Sequence, residues 1–292
     1  MKKVPEKQIP GVYHRRVGDI TVTAVSDGFL DGNLEVLRNV DQEEARQILT
    51  DNFRPARRTA VNCFLIYTAG KLALIETGCG RLMANTGGQL LANLAAAGVD
   101  PASIESVLLT HMHPDHSAGL TNMETGQRNF PNAELVMHEN EPRHWFDDAA
   151  MAQGNDREKA MFFKAGRDQT EPYRDRWRLF KEGEVLPGVT AMPFHGHTPG
   201  HTGYLISSGK ETLLIWGDIV HIPEVQTARP EACMAFDTDA AQAEATRRRV
   251  FDMVATDKLM VTGMHLHFPG FNHLVRNGSG YRLLPVAWDH SL

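Results

Sequence analysis

The stretch THMHPDHSAGL, residues 110–120, sets His111, His113, Asp115 and His116 within six positions. Imidazole nitrogens and carboxylate oxygens bind zinc, and also iron, manganese or cobalt. The cluster follows the apolar run SVLLT, which reads as a short strand. At a strand end, residues two apart point the same way, so His111 and His113 can serve one metal. Pro114 ends the strand, and the turn beyond it can aim Asp115 and His116 at a second metal. The competing reading is a solvated turn that happens to be rich in histidine. The position directly after a buried strand weighs against it.

Three other segments carry the same residue types. HGHTPGH holds His195, His197 and His201, and its Pro and Gly make it a turn after the run VTAMPF. Not every histidine there needs to be a ligand. LLIWGDIVH ends an intensely apolar run on Asp218, where a carboxylate is costly unless it is paired or metal-bound. LMVTGMHLHFPG places His265 and His267 after another buried strand, and strand alternation alone does not choose between them.

These segments need elements that bring them together. Short Val-, Ile- and Leu-rich runs predict strands at ITVTAV, NCFLIYT and KLALIET, then at SVLLTH and NAELVMH. A helix is expected over 88–97. The second half repeats the order with GVTAMPF, TGYLISS, ETLLIWGD and KLMVTGMH as strands. DTDAAQAEATRRRVFDMVA reads as a helix capped by Asp237 or Asp239. Two such halves suggest two packed sheets with helices outside. Residues 139–184 break the pattern. They are charged, helical in pattern and rich in aromatics, which suits either a surface helical pair or a cap over a pocket. No low-complexity linker divides the chain, so one domain spanning 1–292 is expected.

Composition narrows the partners. The 292 residues are 42% hydrophobic and 23% charged with a net charge of -6, which argues against nucleic acid or an anionic membrane as partner. There is no secretory h-region and no run near the ~20 apolar residues of a membrane span, so a soluble, cytoplasmic protein is expected; a small-molecule substrate follows only from the hydrolase reading below. Cys63, Cys79 and Cys233 are odd in number and lack zinc-ribbon spacing, and read as buried small apolar residues.

Taken in order, HMHPDH, HGHTPGH, GDIVH and HLHFPGFNH resemble the metallo-β-lactamase superfamily, and within it most closely the methyl parathion hydrolase-like group. The resemblance implies an α/β fold, an αβ/βα sandwich of two mixed sheets flanked by helices with two metals at one edge. It implies that His111, His113 and His201 hold one metal and that Asp115, His116 and His265 hold the other. Asp218 would bridge them, and His195 and His197 would be non-ligands. Two divalent ions, zinc foremost and iron, manganese or cobalt otherwise, are the implied cofactors. A homodimer is implied in the same way. The family's DTG is ETG here, and Glu76 is read as a carboxylate that holds a ligand histidine. A strand-end glutamate facing solvent is the alternative.

The implied activity is hydrolysis of esters, lactones or organophosphate triesters by a metal-bridging hydroxide, with Asp115 and Asp218 catalytic. Trp145, Phe162 and Phe163 match in location the aromatic lining of organophosphate hydrolases, whereas Met83 stands where those enzymes carry an aromatic. Esters and lactones are therefore expected ahead of triesters. Acyl-homoserine lactonase and β-lactamase are the alternative hydrolases. An iron-dependent oxygenase and a silent metal-binding scaffold are the alternatives outside that class.

Overall fold

The computed structural model describes residues 4–6, 8–54, 56–83 and 85–292. Two seven-stranded sheets pack face to face. The first carries, in spatial order, Val12–Val17, Ile20–Gly32, Arg57–Thr68, Lys71–Ile75, Ser106–Leu108, Glu134–His138 and Trp177–Phe180. The second runs Gly280–Pro285, Asn272–Asn277, Met260–Thr262, Glu211–Ile215, Thr202–Ser208, Val189–Pro193 and Gly183–Leu186. Both are mixed: Lys71–Ile75 pairs parallel with Ser106–Leu108, and Glu211–Ile215 pairs parallel with Met260–Thr262.

Alternation along the strands builds the layers. Phe64 and Ile66 face the second sheet and meet Val189, Tyr204, Ile206 and Ile215. Leu65 faces the other way and packs with Leu74, Leu90 and Leu94 under the outer helices. On the far side, Leu214 and Val261 meet Val250, Phe251 and Val254 of the helix Ala240–Asp257. The expected helix over 88–97 forms as Leu90–Ala96. Of the two proposed caps for Ala240–Asp257, Asp239 takes the role and accepts from the Gln242 N–H. All three cysteines are buried and free.

The segment 139–184 is helical only in part. Short helices Asn140–Trp145, Asp148–Gln153 and Asp156–Glu158 lead into a π-helical turn, Lys159–Lys164, then Ala165–Thr170 and Glu171–Arg176. From Trp177 the chain turns extended: Trp177–Phe180 completes the first sheet and Gly183–Leu186 opens the second. Residues 177–184, expected to be helical, are thus the two sheets' edge strands and the link between them. No described helix is long and apolar enough to cross a membrane.

Candidate metal centre

Parallel strands end on one edge of the sandwich, and the loops beyond them carry the polar residues. His111 and His113 follow Ser106–Leu108, and Pro114 starts a short helix that turns Asp115 and His116 back toward them. Asp218 follows Glu211–Ile215, and His265 follows Met260–Thr262.

The side chains converge on one oxygen. Oδ2 of Asp218 lies 3.2 Å from Nε2 of His116, 3.2 Å from Nε2 of His265 and 3.7 Å from Nε2 of His111. It is also 3.4 Å from Nε2 of His197 and 2.9 Å from Nε2 of His221. Asp115 stands on the other side, its Oδ2 3.4 Å from His265 and 3.6 Å from His116. Four overlapping triads have ligand atoms within 4.8 Å of one another: His111, His113 and His197; Asp115, His116 and His265; and, sharing Asp218, His111 with His116 and His197 with His221. Nδ1 of His113 and Nε2 of His197 are 3.0 Å apart.

His201 is placed elsewhere, contrary to the expectation from the resemblance. Its Nδ1 donates to the Phe194 carbonyl at 2.8 Å, and its Nε2 accepts the Asp218 backbone N–H at 2.8 Å. Both nitrogens are committed, so neither has a lone pair for a metal. The structure puts His197 in the position expected for His201. His195 lies outside the cluster, its ring against His138. His267 also points away and meets Glu224 at 2.7 Å, which leaves His265 as the member of that pair in the centre.

Buried carboxylates and carbonyls orient the rings. Asp237 Oδ1 accepts from Nδ1 of His197 at 2.7 Å, and the Ala60 carbonyl accepts from Nδ1 of His265 at 2.7 Å. Each bond fixes the tautomer with a lone pair on Nε2, the form a metal needs. Glu76 is fully buried, accepts the Thr110 N–H at 2.7 Å and lies 3.3 Å from Nδ1 of His116. The solvent-facing alternative for Glu76 does not hold. Glu141 joins two loops: one oxygen accepts from the Met112 N–H and the Trp145 indole, the other from Gly200 N–H and the Thr198 hydroxyl.

Burial holds the His111 and His113 imidazoles well below their ordinary pKa. It brings His201 down to about 3 and His221 to about 4. These rings are neutral at neutral pH. Burial would raise Asp218, but His116, His265 and His221 outweigh it and hold the carboxyl well below the usual range.

The donor set fits two divalent cations. Nε2 of His111 and His116, Oδ1 of Asp218 and both nitrogens of His221 are buried with no hydrogen-bond partner among the described residues. Leaving such atoms unpaired costs roughly 1–3 kcal/mol each, a cost that coordination removes. Nitrogen and carboxylate donors without thiolate suit zinc and its first-row neighbours.

Phe162 lies over His113 with ring centroids 4.5 Å apart. Phe236 packs against His221 and His197 at 5.1 and 5.8 Å. A cavity of about 230 Å3 beside them is lined by Trp145, Phe162, Phe163, Phe236 and Asp237 among others. Trp145 and Phe163 are almost wholly buried, so Phe162 and Phe236 form the wall nearest the cluster. Met83 is half-buried and does not line this cavity. A larger cavity, about 460 Å3, lies behind His267 and Glu224 and contains none of the converging residues.

Residues 56–265 match the pattern of the metallo-beta-lactamase superfamily. The chain belongs to that superfamily. The superfamily chain superposes on the crystal structure of hydrolase AbOPH in the beta lactamase superfamily with a TM-score of 0.91 at 30% identity, over 97% of this chain and 100% of that one. On AidC, a dizinc quorum-quenching lactonase in complex with a product N-hexnoyl-L-homoserine, the TM-score is 0.89 at 26% identity, over 96% and 99% of the two chains. An uncharacterized protein of Bacillus subtilis (strain 168), YobT, is 27% identical over 158 residues, 54% of this chain and 61% of that relative.

Sequence reasoning passed over four residues of the site. His221 lay in the segment GDIVH, Asp237 was considered only as a helix cap, and Glu141 and Phe236 carried no local signal.

Proposed function

We propose that this protein is a binuclear metal-dependent hydrolase of carboxylic esters and lactones, with phosphotriesters as poorer substrates. The observation that carries the reading is the convergence of five histidine nitrogens on Asp218 Oδ2, flanked by Asp115. His111, His113 and His197 would hold one metal, Asp115, His116 and His265 the other, and Asp218 both. When bound, two such ions supply a hydroxide at neutral pH and polarise a carbonyl or phosphoryl oxygen.

The chain's own residues do the rest. Asp115 has the most open carboxylate of the cluster, with a side chain 15% exposed. It orients the attacking water and can carry its proton to the leaving oxygen. His221 faces the Phe236 wall, with its Nε2 2.9 Å from Asp218 Oδ2. Phe162 and Phe236 exclude water and offer flat faces to a planar acyl or lactone group, which a tetrahedral triester with three substituents uses less well. The similarity to AidC supports a lactone among the substrates, and a methyl parathion hydrolase-like activity is the second reading.

The test is a panel on protein of verified metal content: p-nitrophenyl acetate, dihydrocoumarin, an acyl-homoserine lactone, paraoxon and nitrocefin. Metal should approach two equivalents per chain, and esters and lactones should lead in kcat/KM. Strong preference for paraoxon would make the second reading the correct one. A ceiling of one metal in saturated protein would end the binuclear assignment.

A further inference from the structure

Arg247 sits in the middle of the helix Ala240–Asp257 and is only 1% exposed, the one buried arginine or lysine among the described residues. Its polar partners there are two carbonyls and a thiol, with no carboxylate. Nε donates to the Ile219 carbonyl at 2.8 Å, Nη1 donates to the Pro230 carbonyl at 2.8 Å, and Nη1 lies 3.9 Å from Sγ of Cys233. A guanidinium taken out of water without an anionic partner is costly, and an apolar side chain of similar length would fill the same space without that cost. What the fork joins explains why an arginine stands there.

Ile219 directly follows Asp218, whose backbone lies at φ -94° and ψ 38° in a turn that is not helical. A carbonyl held on that turn fixes how its carboxylate is presented. Pro230 lies in the loop between the helices Pro223–Ala228 and Ala240–Asp257. The same loop carries Phe236, 5.1 Å from the His221 ring, and Asp237, whose Oδ1 accepts from Nδ1 of His197 at 2.7 Å. One rigid guanidinium thus spans the turn of Asp218 and the loop that forms the aromatic wall and orients His197. The residue before it adds a third tie, the Thr246 hydroxyl donating to the His195 carbonyl at 2.8 Å.

We propose that Arg247 is a positioning residue of the hydrolytic centre: by fixing the Ile219 and Pro230 carbonyls to one planar group, it sets Asp218 relative to Phe236 and Asp237. This rests on the hydrolase reading above. It ties metal binding and the substrate wall to a side chain that touches neither metal nor substrate.

The test uses cobalt-loaded protein, whose visible absorption reports ligand geometry. Wild type is compared with Arg247→Met, Arg247→Lys and Val254→Ala. Val254 is a buried apolar residue of the same helix, about two turns further on. Arg247→Met should change the cobalt spectrum and weaken metal binding roughly 10- to 100-fold in chelator competition. It should also raise KM for dihydrocoumarin more than it lowers kcat. Arg247→Lys keeps the charge without the fork and should fall between wild type and Arg247→Met. Val254→Ala should lower the urea midpoint and leave spectrum, metal affinity and KM as in wild type. A wild-type spectrum and metal affinity in Arg247→Met overturn the positioning role, whatever the stability of the variant. Should that variant not fold, Arg247→Lys carries the test, and the same unchanged readings overturn the role. Equal spectral change in Val254→Ala assigns the effect to general destabilisation and also overturns it. Cobalt uptake by a wild type that cleaves no ester or lactone overturns the hydrolase reading, while spectrum and affinity still decide the role of Arg247. No cobalt uptake by wild type overturns both.

Discussion

Asp218 offers one oxygen to five imidazoles, and only a cation or shared protons can hold that many nitrogens at such spacing. The partners on the far side of each ring divide the histidines into those with a free lone pair and those without. His197 is locked by Asp237 with Nε2 facing inward, whereas His201 spends both nitrogens on the backbone. We therefore expect His197→Ala to lose one metal equivalent and most turnover. His201→Ala should keep the metal and lose less activity, by loosening the Asp218 backbone. Metal analysis and kcat on the two variants check this, and the opposite ranking would return His201 to the ligand set. Asp237→Asn should weaken metal binding about 10- to 100-fold, measured by chelator competition. Residue types and spacing made the cluster at 111–116 and Asp218 legible in the sequence, and His265 was preferred to His267 only through the family resemblance. The choice between His197 and His201 was not legible, because both flank the same turn and both donate Nδ1 to an oxygen; what separates them is Nε2, which in His201 accepts the Asp218 backbone N–H and in His197 faces Asp218 Oδ2. Phe236 was illegible for the same reason: it reaches the site from a loop with no motif of its own.

The ligand loops are irregular, and something must hold them in register. Glu141 does this across elements: it accepts from the loop after Ser106–Leu108, from the loop before Thr202–Ser208, and from the indole of Trp145 in its own helix. Burial raises this carboxyl, and four hydrogen bonds oppose the rise. Glu141→Gln presents an amide N–H2 to two of the four donors. It should cost about 1–3 kcal/mol of stability, read from urea denaturation, and lower occupancy of the His111–His113–His197 metal before that of the other. Equal loss at both sites would show a general effect of unfolding. Most inner strands and the long helix were readable from apolar period; the strands Val12–Val17, Asn272–Asn277 and Gly280–Pro285 were not, KLMVTGMH having been expected to be the last strand. The cap was not, since its short helices and π-helical turn follow tertiary packing rather than propensity, and its last strands exist only because two sheet edges need partners.

At the scale of the whole molecule, buried neutral histidines tie stability to pH. His138, outside the metal cluster, is held at about 4 by burial and by the neighbouring His195. The unfolded chain takes up that proton near pH 6.5, the folded chain only near 4. Stability from this group is therefore complete above about 6.5 and falls as the pH drops toward 4. The urea midpoint should decrease across that window, and His138→Gln should flatten the decrease. A midpoint that rises on acidification would contradict the assignment.

The two sheets contribute unequally to each triad: His111, His113, Asp115 and His116 follow strands of the first, and His197, Asp218 and His265 follow strands of the second. Every proposed metal would thus be gripped from both halves of the sandwich at once. An ion so held is a reversible cross-link, and its concentration becomes a variable of the protein's cohesion. At a free ion level a thousandfold above the dissociation constant, each site contributes about 4 kcal/mol that a chelator removes. The melting temperature should climb with the logarithm of free zinc, so that the same chain is sturdy in a metal-replete compartment and fragile in a starved one.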